Sequence, residues 1–236
     1  MKIKLRPAHE RGKSEHGWLH ARFSFSFSNY FDPEHCGFHS LIVKNNDIIE
    51  PGGGFPTHPH SDAEIFTYVM RGKLEHQDSM GNGSVIEAGD LQYMSAGEGV
   101  RHSEFNPSTT EQTELYQIWM RPNQTGGLPR YAEKKFSGHI LKNQAKLLFS
   151  ENGKNESTQI RQSAEFSLAH LDKGMSLSLE TRTEFPHLWI QVILGEIDTA
   201  NQKLGQADGL GIEDQDTTVE ITAHQTAQFF IFRLGK

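Results

Sequence analysis

The chain holds one cysteine, Cys36, among 236 residues. That excludes an intramolecular disulfide framework and fits a reducing compartment. Long hydrophobic runs are also missing. The stretch Leu188-Trp189-Ile190-Gln191-Val192-Ile193-Leu194 is strand-sized, far short of the ~20 apolar residues that a membrane helix needs. Met1-Lys2-Ile3-Lys4-Leu5-Arg6-Pro7 lacks the apolar centre of a secretory signal. Positive charge is in deficit, with 23 Lys and Arg against 30 Asp and Glu and a formal net charge of −7. The most basic stretch, Lys2, Lys4, Arg6, Arg11 and Lys13, is interrupted by Glu10 and Glu15 and reads as a solvated edge. Direct binding to a nucleic-acid backbone is therefore not expected. No long amphipathic helix is visible, and residues 141–149 would hold a turn or two at most. What remains is a cytoplasmic, globular protein with no membrane association.

What the chain has in quantity is glycine, 22 copies, set between short β-branched and aromatic runs. Ile65–Met70 stops at Arg71-Gly72, Lys73–Asp78 runs into the turn cluster Ser79–Gly83, and Ser84–Glu87 and Leu91–Met94 flank Ala88-Gly89-Asp90. Leu115–Met120 closes the group. Short strands at this spacing predict an antiparallel sandwich or barrel. The second half repeats the plan: Trp189–Ile197 resembles Phe66–Leu74, Ala207–Leu210 parallels Ala88–Leu91, and Ala227–Phe232 stands where Leu115–Met120 stood. Internal duplication of a barrel follows. We place the domains at 1–140 and 141–236, and read the polar stretch 150–157 as the joint.

Two short pairs carry the chemistry: His58-Pro59-His60 and His102-Ser103-Glu104. Residues two apart on a strand share a face, so each pair presents two ligand-capable side chains together. Gly52-Gly53-Gly54 leads into the first pair and Gly97-Glu98-Gly99 into the second. Pro59 assigns the first to a strand start or sheet edge, where ligands stay reachable. Folding one pair against the other brings three imidazoles and a carboxylate to one point, a metal site with room for substrate and dioxygen.

The spacing Gly52-(five residues)-His58-Pro59-His60-(three residues)-Glu64-(seven residues)-Gly72 resembles the first cupin motif. Gly89-(five residues)-Ser95-Ala96-Gly97-(four residues)-His102-(three residues)-Asn106 resembles the second. The seven-residue gap and Ser95 depart from the general cupin pattern and are pirin-like. Gly89–Gly97, Phe23-Ser24-Phe25, Tyr30–Pro33 and Glu75–Asn82 are likewise similar to bacterial pirins. The resemblance implies an all-β fold of two tandem cupin (jelly-roll) barrels packed together, the second degenerate and without metal.

It further implies that His58, His60, His102 and Glu104 hold one divalent ion. Fe(II) is favoured, with Mn, Co, Ni, Cu or Zn as alternatives. Glu64 would then orient an imidazole. The activity implied is that of a quercetin 2,3-dioxygenase, which opens the central ring of a small aromatic, flavonol-like substrate with O2 and releases carbon monoxide, Glu104 serving as ligand and base. The alternative is a non-enzymatic, redox-sensing pirin acting on a protein partner. His76 reads as a hairpin cap rather than a proton relay, and Cys36 as buried and inert. Most of Phe23, Phe25, Tyr30, Phe31, Phe38 and Phe55 read as core, with one or two walling an apolar pocket. His16, His20, His35 and His39 read as surface residues, His187 and His224 as isolated, and the chain as a monomer.

Overall fold

Alternating apolar residues and glycine-rich turns produce strands almost throughout the computed structural model, which describes residues 1–135 and 142–236. The chain divides into two compact units, Gly12–Gly138 and a second made of His139–Lys236 with Met1–Arg11. In chain order the strands begin with β1 (Lys2–Arg6), β2 (Gly12–Glu15), β3 (Leu19–Phe23), β4 (Leu41–Ile49), β5 (Gly54–His60), β6 (Glu64–Arg71) and β7 (Lys73–Asp78). They continue with β8 (Gly83–Glu87), β9 (Leu91–Ser95), β10 (Val100–Phe105), β11 (Thr113–Met120), β12 (Arg130–Lys134), β13 (Gln144–Ser150), β14 (Thr158–Gln159) and β15 (Ala164–Leu171). The last are β16 (Ser176–Leu179), β17 (His187–Leu194), β18 (Ile197–Thr199), β19 (Gln202–Leu204), β20 (Gly209–Glu213), β21 (Val219–Ala223) and β22 (Ala227–Leu234). Among the described residues no helix is long and apolar enough to cross a membrane.

Each unit is a pair of sheets. The first has the seven-stranded order β12-β9-β6-β11-β4-β3-β2 and the four-stranded order β5-β10-β7-β8. The second repeats both, as β1-β20-β17-β22-β15-β13-β14 and β16-β21-β18-β19. These are the tandem cupin barrels that the motifs imply. In the first, Leu74 and Ile86 of the smaller sheet meet Val69 and Leu115 of the larger one. In the second, Leu179, Ile197, Val219 and Ile221 meet Leu188, Ile190 and Phe229. Burial of these faces supplies the main driving force for folding.

Two boundaries differ from the sequence reading. The first eleven residues belong with the second unit, because β1 pairs antiparallel with β20, Ile3 opposite Ile212 and Leu5 opposite Leu210. β1 thereby fills the sheet edge that β12 fills beside β9 in the first unit. Such pairing across some two hundred residues leaves no local sequence signal. The stretch 150–157 is not a joint either, since it turns the chain within the second unit. The Ser150 and Ser157 hydroxyls bond each other at 2.7 Å, and Ser157 Oγ donates to the Lys154 carbonyl at 2.6 Å. Its polarity serves a self-satisfied turn, and β13 replaces the expected helical turn just before it.

Candidate metal centre

β5 and β10 run antiparallel with His58 opposite His102 and His60 opposite Val100. The strand period of two then puts His58, His60 and His102 on one face. Their rings converge, with centroids 4.8 Å apart for His58 and His60, 4.4 Å for His58 and His102, and 4.9 Å for His60 and His102. One nitrogen from each lies within 4.8 Å of the others. His102 is buried, whereas His58 and His60 stay partly exposed near the sheet edge. A bulge between His102 and Glu104 sets Glu104 opposite Phe55 rather than Pro56, which turns the Phe55 ring onto the wall of the cavity. The freed Pro56 carbonyl accepts a 2.8 Å bond from His58 Nδ1. A carbonyl can only accept, so His58 Nδ1 carries the proton and Nε2 is left with its lone pair.

Glu104 shares a different cluster, with His76 and His102. His102 therefore belongs to both groups, and the four expected ligands fall in two overlapping sets. Gln117 Nε2 donates to both carboxylate oxygens of Glu104, at 3.0 and 2.8 Å, and Thr67 Oγ1 to one of them at 3.3 Å. Burial pushes the Glu104 carboxyl up to about 7, against the pull of the Gln117 and Thr67 bonds. Burial, reinforced by the neighbouring His58, His60 and His76, drives His102 down to about 2. Burial and then His58 lower His60 to about 4. His60 and His102 are thus held neutral, the form that ligates a metal. His102 Nε2 is buried with no hydrogen-bond partner, an arrangement that costs roughly 1–3 kcal/mol unless something fills it. Three clustered imidazole nitrogens, one of them orphaned, in a cavity that a buried carboxyl also lines fit a divalent cation.

The cavity has a volume of about 180 Å³, and its apolar wall is Phe27, Phe55, Ile65 and Trp119. Opposite the histidines a polar row crosses the larger sheet, in which Gln92 pairs with Thr67, Thr67 with Gln117 and Gln117 with Asn45. All four are buried. Sequence reasoning missed this row. The usable signal was an uncharged polar side chain at a core-facing position of an alternating strand, as Gln117 is between Leu115 and Trp119 on β11.

The remaining candidates fall as follows. Glu64, expected to orient an imidazole, accepts hydrogen bonds from the Tyr93 and Ser95 hydroxyls. His76 is fully buried beside His102, not a surface cap. Cys36 is exposed, contrary to expectation, with Sγ 3.3 Å from the Asp32 carbonyl. Phe23, Phe25 and Phe38 are core, whereas Phe31 is 75% exposed. His16 and His39 are exposed, and His20 and His35 are partly so and bound to acidic neighbours.

Comparison with known proteins identifies the family. A family profile described as Pirin fits residues 4–120, and one described as the Quercetinase C-terminal cupin domain fits 147–234. Quercetin 2,3-dioxygenase of Escherichia coli strain K12 is 43% identical over 232 residues, covering 98% of each chain. The crystal structure of YhhW from Escherichia coli superposes with a TM-score of 0.94 at 42% identity, over 99% of this chain and 97% of that one. The same bacterial pirin in complex with nickel(II) gives 0.93 at 42% identity, over 99% of both chains. A quercetin 2,3-dioxygenase from Acinetobacter baumannii, 18% identical with a TM-score of 0.73 over 97% of this chain and 84% of that one, shares the fold. With two cupin barrels, a histidine cluster on the first, and this identity over nearly its whole length, the chain belongs to the pirin family.

Proposed function

We propose that the protein is a metal-dependent dioxygenase of flavonol-like aromatics. It would open the central ring of a substrate such as quercetin with both atoms of O2 and release carbon monoxide. The observation that carries this reading is the cluster of His58, His60 and His102 in a cavity that the buried Glu104 and the rings of Phe27, Phe55 and Trp119 also line. His58, His60, His102 and Glu104 would hold one divalent ion, with Fe(II) the favoured occupant. When bound, the ion supplies Lewis-acid polarisation of a substrate hydroxyl and the redox partner that dioxygen requires.

The rest is the work of the chain. Phe27, Phe55 and Trp119 offer ring faces to a flat substrate and exclude water. Glu104 takes the proton of the flavonol 3-hydroxyl onto a carboxylate oxygen, leaving an electron-rich anion. The two bonds from Gln117 hold that carboxylate in place. The second barrel, filled with aliphatic side chains, serves as scaffold.

The test is oxygen uptake with quercetin by protein reloaded anaerobically with Fe, Mn, Co, Ni, Cu or Zn in turn. Metal-dependent uptake with carbon monoxide release, lost in His58→Ala and His102→Ala, is the expected result. Full loading without uptake for every metal would move the reading to another substrate or to regulation of a protein partner. Glu104→Gln with full loading and undiminished turnover would refute the base role alone.

A further inference from the structure

His76 has no place in the ligand set, yet its ring lies wholly inside the barrel, 5.3 Å from that of His102. It sits on β7 directly opposite Glu104, while Asp78, two residues on, lies opposite His102. The Asp78 side chain is fully buried as well, and His76 Nε2 is 3.4 Å from its Oδ2. On the other side, His76 Nδ1 is 3.5 Å from His102 Nδ1. Tyr131 stacks on the His76 ring at 5.1 Å and 24°, and Gln92 Nε2 donates to His76 Nδ1 at 3.1 Å. The ring is clamped on one face and at both nitrogens.

The proton order along this chain follows from elementary rules. A carboxylate only accepts, so His76 Nε2 carries hydrogen and donates to Asp78. A neutral imidazole has one N–H, so His76 Nδ1 is an acceptor, as the Gln92 bond also requires. Two bare ring nitrogens facing each other would repel, so His102 Nδ1 carries the proton and shares the His76 Nδ1 lone pair with the closer Gln92 N–H. His102 Nε2 is thereby stripped of hydrogen, and it is this atom that is buried without a partner.

We infer that Asp78 and His76 form a positioning relay that fixes the tautomer of His102, so that Nε2 meets the metal with a bare lone pair. This rests on the reading of His102 as a ligand. The Pro56 carbonyl does the same for His58, but through an invariant backbone group. The relay is made of side chains and can therefore be cut. Carboxylate–histidine contacts behind a ligand typically contribute ten- to a hundred-fold in metal affinity.

The test uses the full chain and nickel(II) as probe. Long-range ¹H–¹⁵N spectra of the metal-free protein should show His102 protonated at Nδ1. Asp78→Asn offers an N–H to His76 Nε2, reverses the relay and should move the His102 proton to Nε2. Its Oδ1 can still cap the hairpin through the Met80 and Asn82 amides. Nickel(II) affinity, read by competition with a chromophoric chelator, should fall about ten- to a hundred-fold in Asp78→Asn and in His76→Phe. It should recover in His76→Asn, whose oxygen can replace Nδ1 as acceptor. Melting of the metal-free proteins checks that the fold is retained. An Nε2-protonated His102 in the unaltered protein, or unchanged nickel affinity in folded Asp78→Asn, would overturn the relay. A His102→Ala variant that binds nickel as tightly as the unaltered protein would overturn the ligand assignment itself. If the unaltered protein takes up no nickel, both fall.

Discussion

The two barrels share a strand plan and differ in what they put inside it. Across the larger sheet of the first runs Gln92–Thr67–Gln117–Asn45; across the second, by the same strand order, runs Leu210–Ile190–Ile231–Ser167. On the smaller sheet β10 and the residue that follows it bury His102, Glu104 and Asn106, where β21 buries Val219, Ile221 and Ala223. One interior is a binding site and the other is a filled core. The jelly roll therefore does not need the polar interior in order to fold. Buried as they are, Glu104, His76 and His102 cost the first barrel stability that the aliphatic interior of the second does not forfeit.

Metal should reverse that burden in one barrel only. Nickel(II) at about a thousand times its Kd would add ~4 kcal/mol to whatever it binds. Hydrogen exchange should slow in β5, β7 and β10 and stay unchanged in β16, β18 and β21. Equal slowing in both barrels would break the contrast drawn here. The mirrored substitution is next in size. Ile231→Gln, which gives the second barrel its counterpart of Gln117, buries an amide among Ile190, Leu210 and their neighbours. It should cost about 2–3 kcal/mol in denaturant melts and leave nickel affinity alone. Gln117→Leu should instead weaken nickel about ten-fold through the loss of both bonds to Glu104, and cost the metal-free fold roughly 1–3 kcal/mol because the buried carboxyl keeps only its Thr67 donor.

How far the sequence reached follows the same division. The clustering of His58, His60 and His102 was legible because a period of two after a glycine-rich turn needs no knowledge of partners, whereas Glu104 falls in a second cluster with His76 and His102. β6, β9, β11, β17 and β22 were legible because their β-branched and aromatic runs end at or near glycine or, for β11, at Arg121-Pro122. The polar row was not, because Gln92, Thr67, Gln117 and Asn45 come together only through the register of four strands. The place of β1 was hidden for a like reason: Ile3 and Leu5 pair with residues at the far end of the chain. His76 lay in between, since its position after Gly72 was visible but its neighbour His102 was not.

Where the barrels agree, matched substitutions should agree as well. Gly72 and Gly195 end the corresponding strands β6 and β17 with φ of +76° and +79°. A Cβ at Gly72 would lie 2.6 Å from the Gln112 carbonyl, and at Gly195 2.2 Å from that of Thr226. Each Gly→Ala should therefore cost ~1–3 kcal/mol, from left-handed backbone and steric contact together. A large cost at one and none at the other would mean that the two turns are not equivalent.

The smallest effect discriminates most finely. Thr67 corresponds to Ile190 in the two rows, and Thr67→Val moves the first barrel one atom toward the second. Its hydroxyl donates to Glu104 Oε1 at 3.3 Å, longer than either bond from Gln117. Losing so long a bond forfeits less than the ~1 kcal/mol of an ordinary one, and valine has no hydroxyl to desolvate. The metal-free protein should keep its stability within about 0.5 kcal/mol. Nickel affinity should shift less than for Gln117→Leu, because the carboxylate keeps both bonds from Gln117. If Thr67→Val weakened nickel as much as Gln117→Leu does, the row would act as one coupled network, and its members could not be exchanged for aliphatic residues one at a time.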